Sequence, residues 1–92
     1  MGRILIVKLK TNPKLPVELI LRRLMGSNIG PTKVQSLVVP PKLTHEMFII
    51  MVTKTDPTNM VGKSYSIGTD THLQIVANKT VIEASKDWRE IK

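Results

Sequence analysis

The sequence predicts one small basic α+β domain over residues 1–92, in which a curled, mostly antiparallel sheet of about six strands packs on one main helix, with a short C-terminal helix. A chain of 92 residues is long enough for a single hydrophobic core. One segment has the apolar period of a helix, and several shorter segments alternate as half-buried strands do. Their order is strand, helix, strand, strand and then a meander.

The main helix is predicted over residues 16–26, and the rest of the chain is organised around it. Its apolar residues recur every three or four positions and form one stripe that a sheet must cover. These residues are Val17, Ile20, Leu21 and Leu24. Pro16 suits the first helical position, and Gly26 suits the left-handed position just past the end. The sequence therefore indicates both ends of this helix.

Strands are predicted where β-branched or alternating residues form short runs between turns. They cover residues 3–10, 33–39, 46–52, 64–67, 72–77 and 80–84. In the first strand, alternate residues from Leu5 to Leu9 should face the helix. Lys8 and Lys10 should then project together from the opposite face.

A central strand and a C-terminal helix complete the predicted core. The apolar run 47–52 is too short for a membrane span and indicates a buried strand, with Phe48 in the core. Residues 85–91 begin with a serine that can cap a helix, and Trp88 and Ile91 lie three positions apart. A short docked helix is therefore expected there. The opening order also fits a ferredoxin-like or RRM-like sandwich, but the second long helix of that fold is missing. A curled sheet or partial barrel with one packed helix fits the second half better.

Composition argues against several classes of protein. The sequence has no cysteine, so neither disulfides nor thiolate metal sites hold the fold together. No apolar run approaches the ~18 residues of a membrane span, and the first residues do not resemble a signal peptide. We therefore expect a soluble cytoplasmic protein with no membrane partner.

The positive charge of the chain is confined to its first half. Residues 1–44 contain eight cations and one anion, a net charge of +7, whereas residues 45–92 contain six of each. A one-sided excess is typical of a surface that binds a polyanion, because ordinary solvated surfaces intersperse both signs. The alternative is a basic surface that serves solubility alone.

No motif indicates an enzyme. Residues 61–64 resemble the end of a phosphate-binding P-loop, but Pro57 stands where that motif needs its first glycine. His45 and His72 do not have the spacing of zinc ligands on one element. Asp70 and His72 would make an acid–imidazole pair, but no activated nucleophile accompanies them. We therefore predict a protein that is not an enzyme and has no cofactor and no metal site.

The candidate binding residues are the cations of the first half that come from neighbouring elements. They are Lys8, Lys10, Lys14, Arg22, Arg23 and Lys33. On one surface they would neutralise several phosphates, with salt-sensitive affinity and no sequence preference. Single-strand binders stack bases on exposed aromatic rings, whereas Phe48 is expected in the core and Tyr65 and Trp88 lie in the uncharged half. We therefore predict a non-enzymatic nucleic-acid-binding protein that contacts the phosphate backbone of duplex DNA or structured RNA.

The second hypothesis is an accessory subunit of a larger nucleic-acid machine, such as a polymerase, a transcription complex or a ribosomal particle. The neutral half of the chain would then contact a protein partner. Trp88, Tyr65 and Met60 are the candidate residues, because aromatic residues and methionine are enriched at protein interfaces. The two hypotheses differ in which half of the chain carries the binding.

Overall fold

The described strands of the computed structural model form one sheet that curls into a nearly closed barrel. The structure describes residues 4–53, 59–79 and 89–91, of which 56% lie in strands and 11% in one helix. The elements are β1 (Ile4–Thr11), α1 (Val17–Leu24), β2 (Asn28–Ile29), β3 (Thr32–Val39), β4 (Glu46–Thr53), β5 (Ser64–Ile67), β6 (Thr71–Lys79) and β7 (Arg89–Ile91).

The strand order is β2-β3-β4-β1-β6-β5, and neighbouring strands are antiparallel. β1 lies between β4 and β6. β3 pairs with β4 along one edge, and its other edge pairs with β2 near its start and β7 at its end. The register shifts between Ile6 and Val7 in β1 and between Val34 and Ser36 in β3. Such bulges increase the local twist and therefore help the sheet to curl.

The first and last strands of this order are β2 and β5. They come close where the turn between β2 and β3 approaches β5. Gly30, in that turn, has a φ of +56°, and a Cβ built on it would lie 2.7 Å from Oη of Tyr65 on β5. Glycine is needed here for two reasons, because the backbone is left-handed and because the tyrosine ring leaves no room for a side chain. This approach nearly closes the barrel.

Replacement of Gly30 by alanine is expected to lower the free energy of unfolding by about 2–4 kcal/mol. About 1–2 kcal/mol comes from the left-handed backbone and the rest from the clash with Tyr65. Gly68→Ala is the matched control, because Gly68 has a φ of +63° and no heavy atom within 4 Å of an added Cβ. Urea unfolding measures both variants. Equal losses would show that the turn does not touch β5.

The inner face of the barrel and the apolar stripe of α1 form one core. Its fully buried members include Leu5, Val7, Leu9, Leu37, Ile49, Met51, Leu73 and Ile75 from the strands and Ile20, Leu21 and Leu24 from the helix. The alternation predicted for β1 is confirmed, because Lys8 and Lys10 lie on the other side of the strand from this core.

The predicted C-terminal end of the helix is confirmed, whereas Pro16, predicted at the first helical position, lies one residue before the helix. Pro16 is the extended residue just before the first turn, with φ −68° and ψ 123°, and Gly26 has φ +76°. The N–H of Gly26 then donates to the carbonyl oxygen of Val34 at 3.1 Å, which ties the end of the helix to β3. The short strand β2 was not predicted, because two residues are too few to show an alternation.

The predicted fold class is wrong in two respects. The expected sheet packed on one main helix is instead a nearly closed barrel, whose strands cover each other's inner side chains. The C-terminal helix expected over 85–91 is also wrong, because Arg89–Ile91 forms β7. Ile91 pairs with Leu37 and packs on the core, and a helix this short has little intrinsic stability to compete with that pairing. Residues 85–88 and the strand expected over 80–84 lie outside the described residues.

Candidate nucleic-acid interface

The outer face of the barrel presents side chains from β5, β6, β1 and β4 in rows that run across the strands. Residues paired in register on antiparallel strands project to the same side, about 5 Å apart. The first row contains Ser66, His72, Lys10 and Glu46; the second contains Ser64, Gln74, Lys8 and Phe48; the third contains Ala77, Ile6 and Ile50, and continues to Val38 on β3. Along the strands, this outer face therefore changes from charged and polar to apolar.

A shallow depression of about 380 Å³ lies over the first two rows. It is lined by Lys8, Lys10, Glu46, Ser64, His72, Leu73 and Gln74. Lys8 and Lys10 are two positions apart on β1, so their ammonium groups project from the same face of one strand. Two cations over an open depression can bind neighbouring anionic groups such as phosphates.

Lys8 forms an ion pair with Glu46 across β1 and β4. The distance from Nζ to Oε1 is 3.3 Å, and the two side chains are 43% and 54% exposed. Water screens an ion pair this exposed, so it contributes about 0–1 kcal/mol to stability. A phosphate group can therefore displace the carboxylate from Lys8 at little cost to the fold.

The two histidines lie in different environments. Nδ1 of His72 lies 3.2 Å from Oγ of Ser66, a hydrogen bond that orients the imidazole at the edge of the depression. This contact joins His72 to a hydroxyl on β5, not to Asp70. Nε2 of His45 donates to the carbonyl oxygen of Leu15 at 2.7 Å, which ties the β3–β4 connection to the loop before α1.

Within the described ranges, no three acidic, histidine or cysteine side chains are grouped to hold a metal ion.

Phe48 lies on the outer face with 51% of its surface exposed, so its predicted place in the core is wrong. Met47, Ile49 and Met51 point into the barrel, and the alternation of the strand turns Phe48 outward beside Lys8. A continuous apolar run hides this alternation. The signal that could have revealed it is Glu46, two positions away and therefore on the same face as Phe48.

The structure brings together only two of the six predicted binding residues in this depression, Lys8 and Lys10. The other four are Lys14 in the loop after β1, Arg22 and Arg23 in the last turn of α1, and Lys33 on β3. Arg22 borders a separate depression of about 200 Å³ beside Glu18, and Lys33 borders another of about 420 Å³. The basic residues of the first half are therefore spread over several parts of the surface.

The residues predicted to contact a protein partner do not form one exposed surface within the described chain. Met60 is 1% exposed and belongs to the core. Tyr65 is half-buried against that core and lies beside Gly30. Trp88 lies outside the described residues.

Comparison with protein-family models, curated proteins and solved structures gave no match for this chain. The described helix is too short and too polar to span a membrane. The fold and the outer face together define a small, nearly closed antiparallel barrel with a cationic depression on its outside.

Proposed function

We propose that this protein binds the phosphate backbone of nucleic acid in the cytoplasm, without catalysis, through the outer face of β1. The observation that carries the proposal is the pair formed by Lys8 and Lys10. Both project from one face of the strand between β4 and β6, and both line the same open depression.

The distribution of charge supports a polyanionic ligand. The net charge of +7 lies entirely in residues 1–44, the half that contributes both lysines of the depression. Lys14, Arg22, Arg23 and Lys33 lie elsewhere on the surface and would act through the long-range field that attracts a polyanion. Contacts to phosphates carry no sequence information, so we expect little sequence preference.

The preference for duplex DNA or structured RNA is not retained. It depended on Phe48 being in the core, and Phe48 is half exposed beside Lys8. The role of accessory subunit remains a separate proposal. Among the residues predicted to contact its protein partner, Tyr65 lies in the described chain and is partly exposed.

The salt dependence of binding tests the proposed function. Fluorescence anisotropy would follow a labelled oligonucleotide of about 12 nucleotides, single-stranded and duplex, between about 50 and 200 mM salt. Each phosphate contact contributes about 0.7–0.9 to the slope of log affinity against log salt, so the two lysines predict a slope of at least about 1.4 in magnitude. Absence of binding to both forms, or affinity that does not respond to salt, would contradict the proposal.

Replacement of Glu46 by glutamine is expected to tighten binding about threefold. The carboxylate repels a phosphate at about 6 Å by roughly 0.7 kcal/mol in water and also competes for Lys8. The free energy of unfolding should change by less than about 1 kcal/mol, because the ion pair is exposed. Glu18→Gln removes the same charge from α1 and should change the affinity less. Anisotropy titration measures all three proteins.

Weaker binding by the Glu46→Gln variant would show that the carboxylate positions Lys8 for the ligand. The depression would then not be a simple cationic site.

A further inference from the structure

Phe48 is the most exposed of the large apolar side chains in the described chain, at 51%. Single exposed apolar residues are common and by themselves indicate nothing. The position of this ring is more informative, because Phe48 pairs in register with Lys8 on β1. The outward residue that precedes Phe48 on β4 is Glu46. An aromatic face therefore lies directly beside the cationic depression.

An apolar strip continues from Phe48 along the strands. Ile50 follows Phe48 on the outward side of β4 but is only 8% exposed, and the partly buried Ile6 and Ala77 extend the row across β1 and β6. Val76, at the register shift in β6, is 44% exposed. The well-exposed apolar group beside the cationic depression is thus the ring of Phe48, next to a mostly covered apolar row.

We propose that this face binds single-stranded nucleic acid, with one base stacked on the ring of Phe48 and adjacent phosphates held by Lys8 and Lys10. This inference rests on the proposed function and specifies the form of the nucleic acid. A single strand has bases free to stack on a ring and phosphates beside them, which matches an exposed ring that lies beside two cations. A duplex keeps the faces of its bases stacked on one another, so a ring can stack on a base there only if the duplex is kinked and that step is unstacked.

The polar residues of the same rows suit a flexible strand. Gln74 lies across from Lys8 and carries both a donor and an acceptor, and Ser64 and His72 also line the depression. These groups can hydrogen-bond to base edges or sugars in more than one orientation. Stacking on an aromatic ring is similarly tolerant of sequence, because every base has a π-face.

A protein segment is the other macromolecule that could cover an exposed phenyl ring. Lysine is depleted from protein interfaces, and here Lys8 lies directly across from Phe48 with Lys10 next to it. Binding sites for single-stranded nucleic acid, by contrast, combine aromatic rings with cationic side chains. The charge of the chain also favours the polyanion.

The test compares Phe48→Leu with Phe48→Tyr. Leucine keeps an apolar side chain but removes the aromatic face, and tyrosine keeps the face. The ligands are a thymidine strand of about 12 nucleotides, a duplex of the same length and an abasic strand that has phosphates but no bases. Thermal unfolding checks that each variant is folded, which we expect because half of the ring is already in water.

We expect the wild-type protein to bind the thymidine strand more tightly than the duplex or the abasic strand. Phe48→Leu should weaken binding of the thymidine strand about 5- to 100-fold, which is the effect of losing one stacked base. The same change should leave the abasic strand within about twofold, because the lysine contacts remain. Phe48→Tyr should stay within about threefold of the wild type for every ligand.

The outcomes separate this inference from the proposed function. If Phe48→Leu binds the thymidine strand as well as the wild type does, stacking is wrong, while salt-dependent binding would still support phosphate contact. A preference for the duplex would also overturn the inference alone. No binding to any of the three ligands, as expected if the face serves a protein partner, would overturn both.

Discussion

Replacement of both Lys8 and Lys10 by glutamine should weaken nucleic-acid binding about 30- to 150-fold at moderate salt, because each lysine–phosphate contact contributes roughly 1–1.5 kcal/mol. The slope of log affinity against log salt should fall by about 1.4–1.8, since two phosphate contacts are lost. Both side chains face solvent, so the fold should remain intact. Anisotropy titration over a range of salt concentrations gives both quantities.

Two control variants locate the effect. Lys42 is exposed in the connection between β3 and β4 and borders none of the three depressions described above. Lys42→Gln should leave the affinity within about twofold. Arg22→Gln with Arg23→Gln removes two charges from α1 and should weaken binding only about two- to fivefold, through the long-range field. A larger loss from the arginine pair than from the lysine pair would move the site from the sheet to the helix.

Replacement of Leu21 by alanine should lower the free energy of unfolding by about 3 kcal/mol. Leu21 is 1% exposed and packs in the core shared by α1 and the barrel. Replacement of a buried leucine by alanine usually costs about 2–5 kcal/mol of stability. This cost is the sum of the lost burial of apolar atoms and the effect of the cavity that remains. Urea unfolding at constant m-value is the appropriate measurement, because a changed m-value would indicate a different unfolded or native state.

Leu19→Ala is the matched control for this prediction. Leu19 lies on the same helix with 44% of its surface exposed, and the chemical change is the same. Its effect should be below about 1 kcal/mol, since alanine is also a slightly better helix former than leucine. Similar losses at the two positions would mean that α1 does not present this stripe to the core.

Much of the local structure could be predicted from the sequence. The stripe and the C-terminal end of the helix were correct, and its start was misplaced by one residue, because period and capping residues act over a few neighbouring positions. The prediction that Leu5, Val7 and Leu9 of β1 point into the core was correct for the same reason. Barrel closure was not predictable in this way. It depends on the approach of Gly30 to Tyr65, two residues far apart in sequence.

The C-terminal error has a related cause. Residues 85–91 have a local pattern that favours a helix, but Arg89–Ile91 completes an edge of β3. Pairing with a distant strand can outweigh a local preference of three residues, because a short helix is barely stable alone. The sequence contains no local signal for that pairing.

The candidate site was predictable in part. The two lysines of β1 follow from simple alternation, and both were correctly placed on the outward side. The expectation for Phe48 failed because a run of apolar residues was taken as buried on both faces, whereas the outer face of β4 buries Ile50 but leaves Phe48 51% exposed. This error matters for function, since it led to the choice of a duplex as ligand.

An amide chemical-shift titration of the ¹⁵N-labelled protein with a thymidine strand of about 12 nucleotides would locate the binding surface residue by residue. We expect the largest shifts at Lys8, Lys10, Phe48 and Gln74, on three neighbouring strands of one face. The amides of α1 should change little. Largest shifts around Arg22 and Arg23, or no localised shifts at saturating ligand, would contradict the assignment of this face as the binding site.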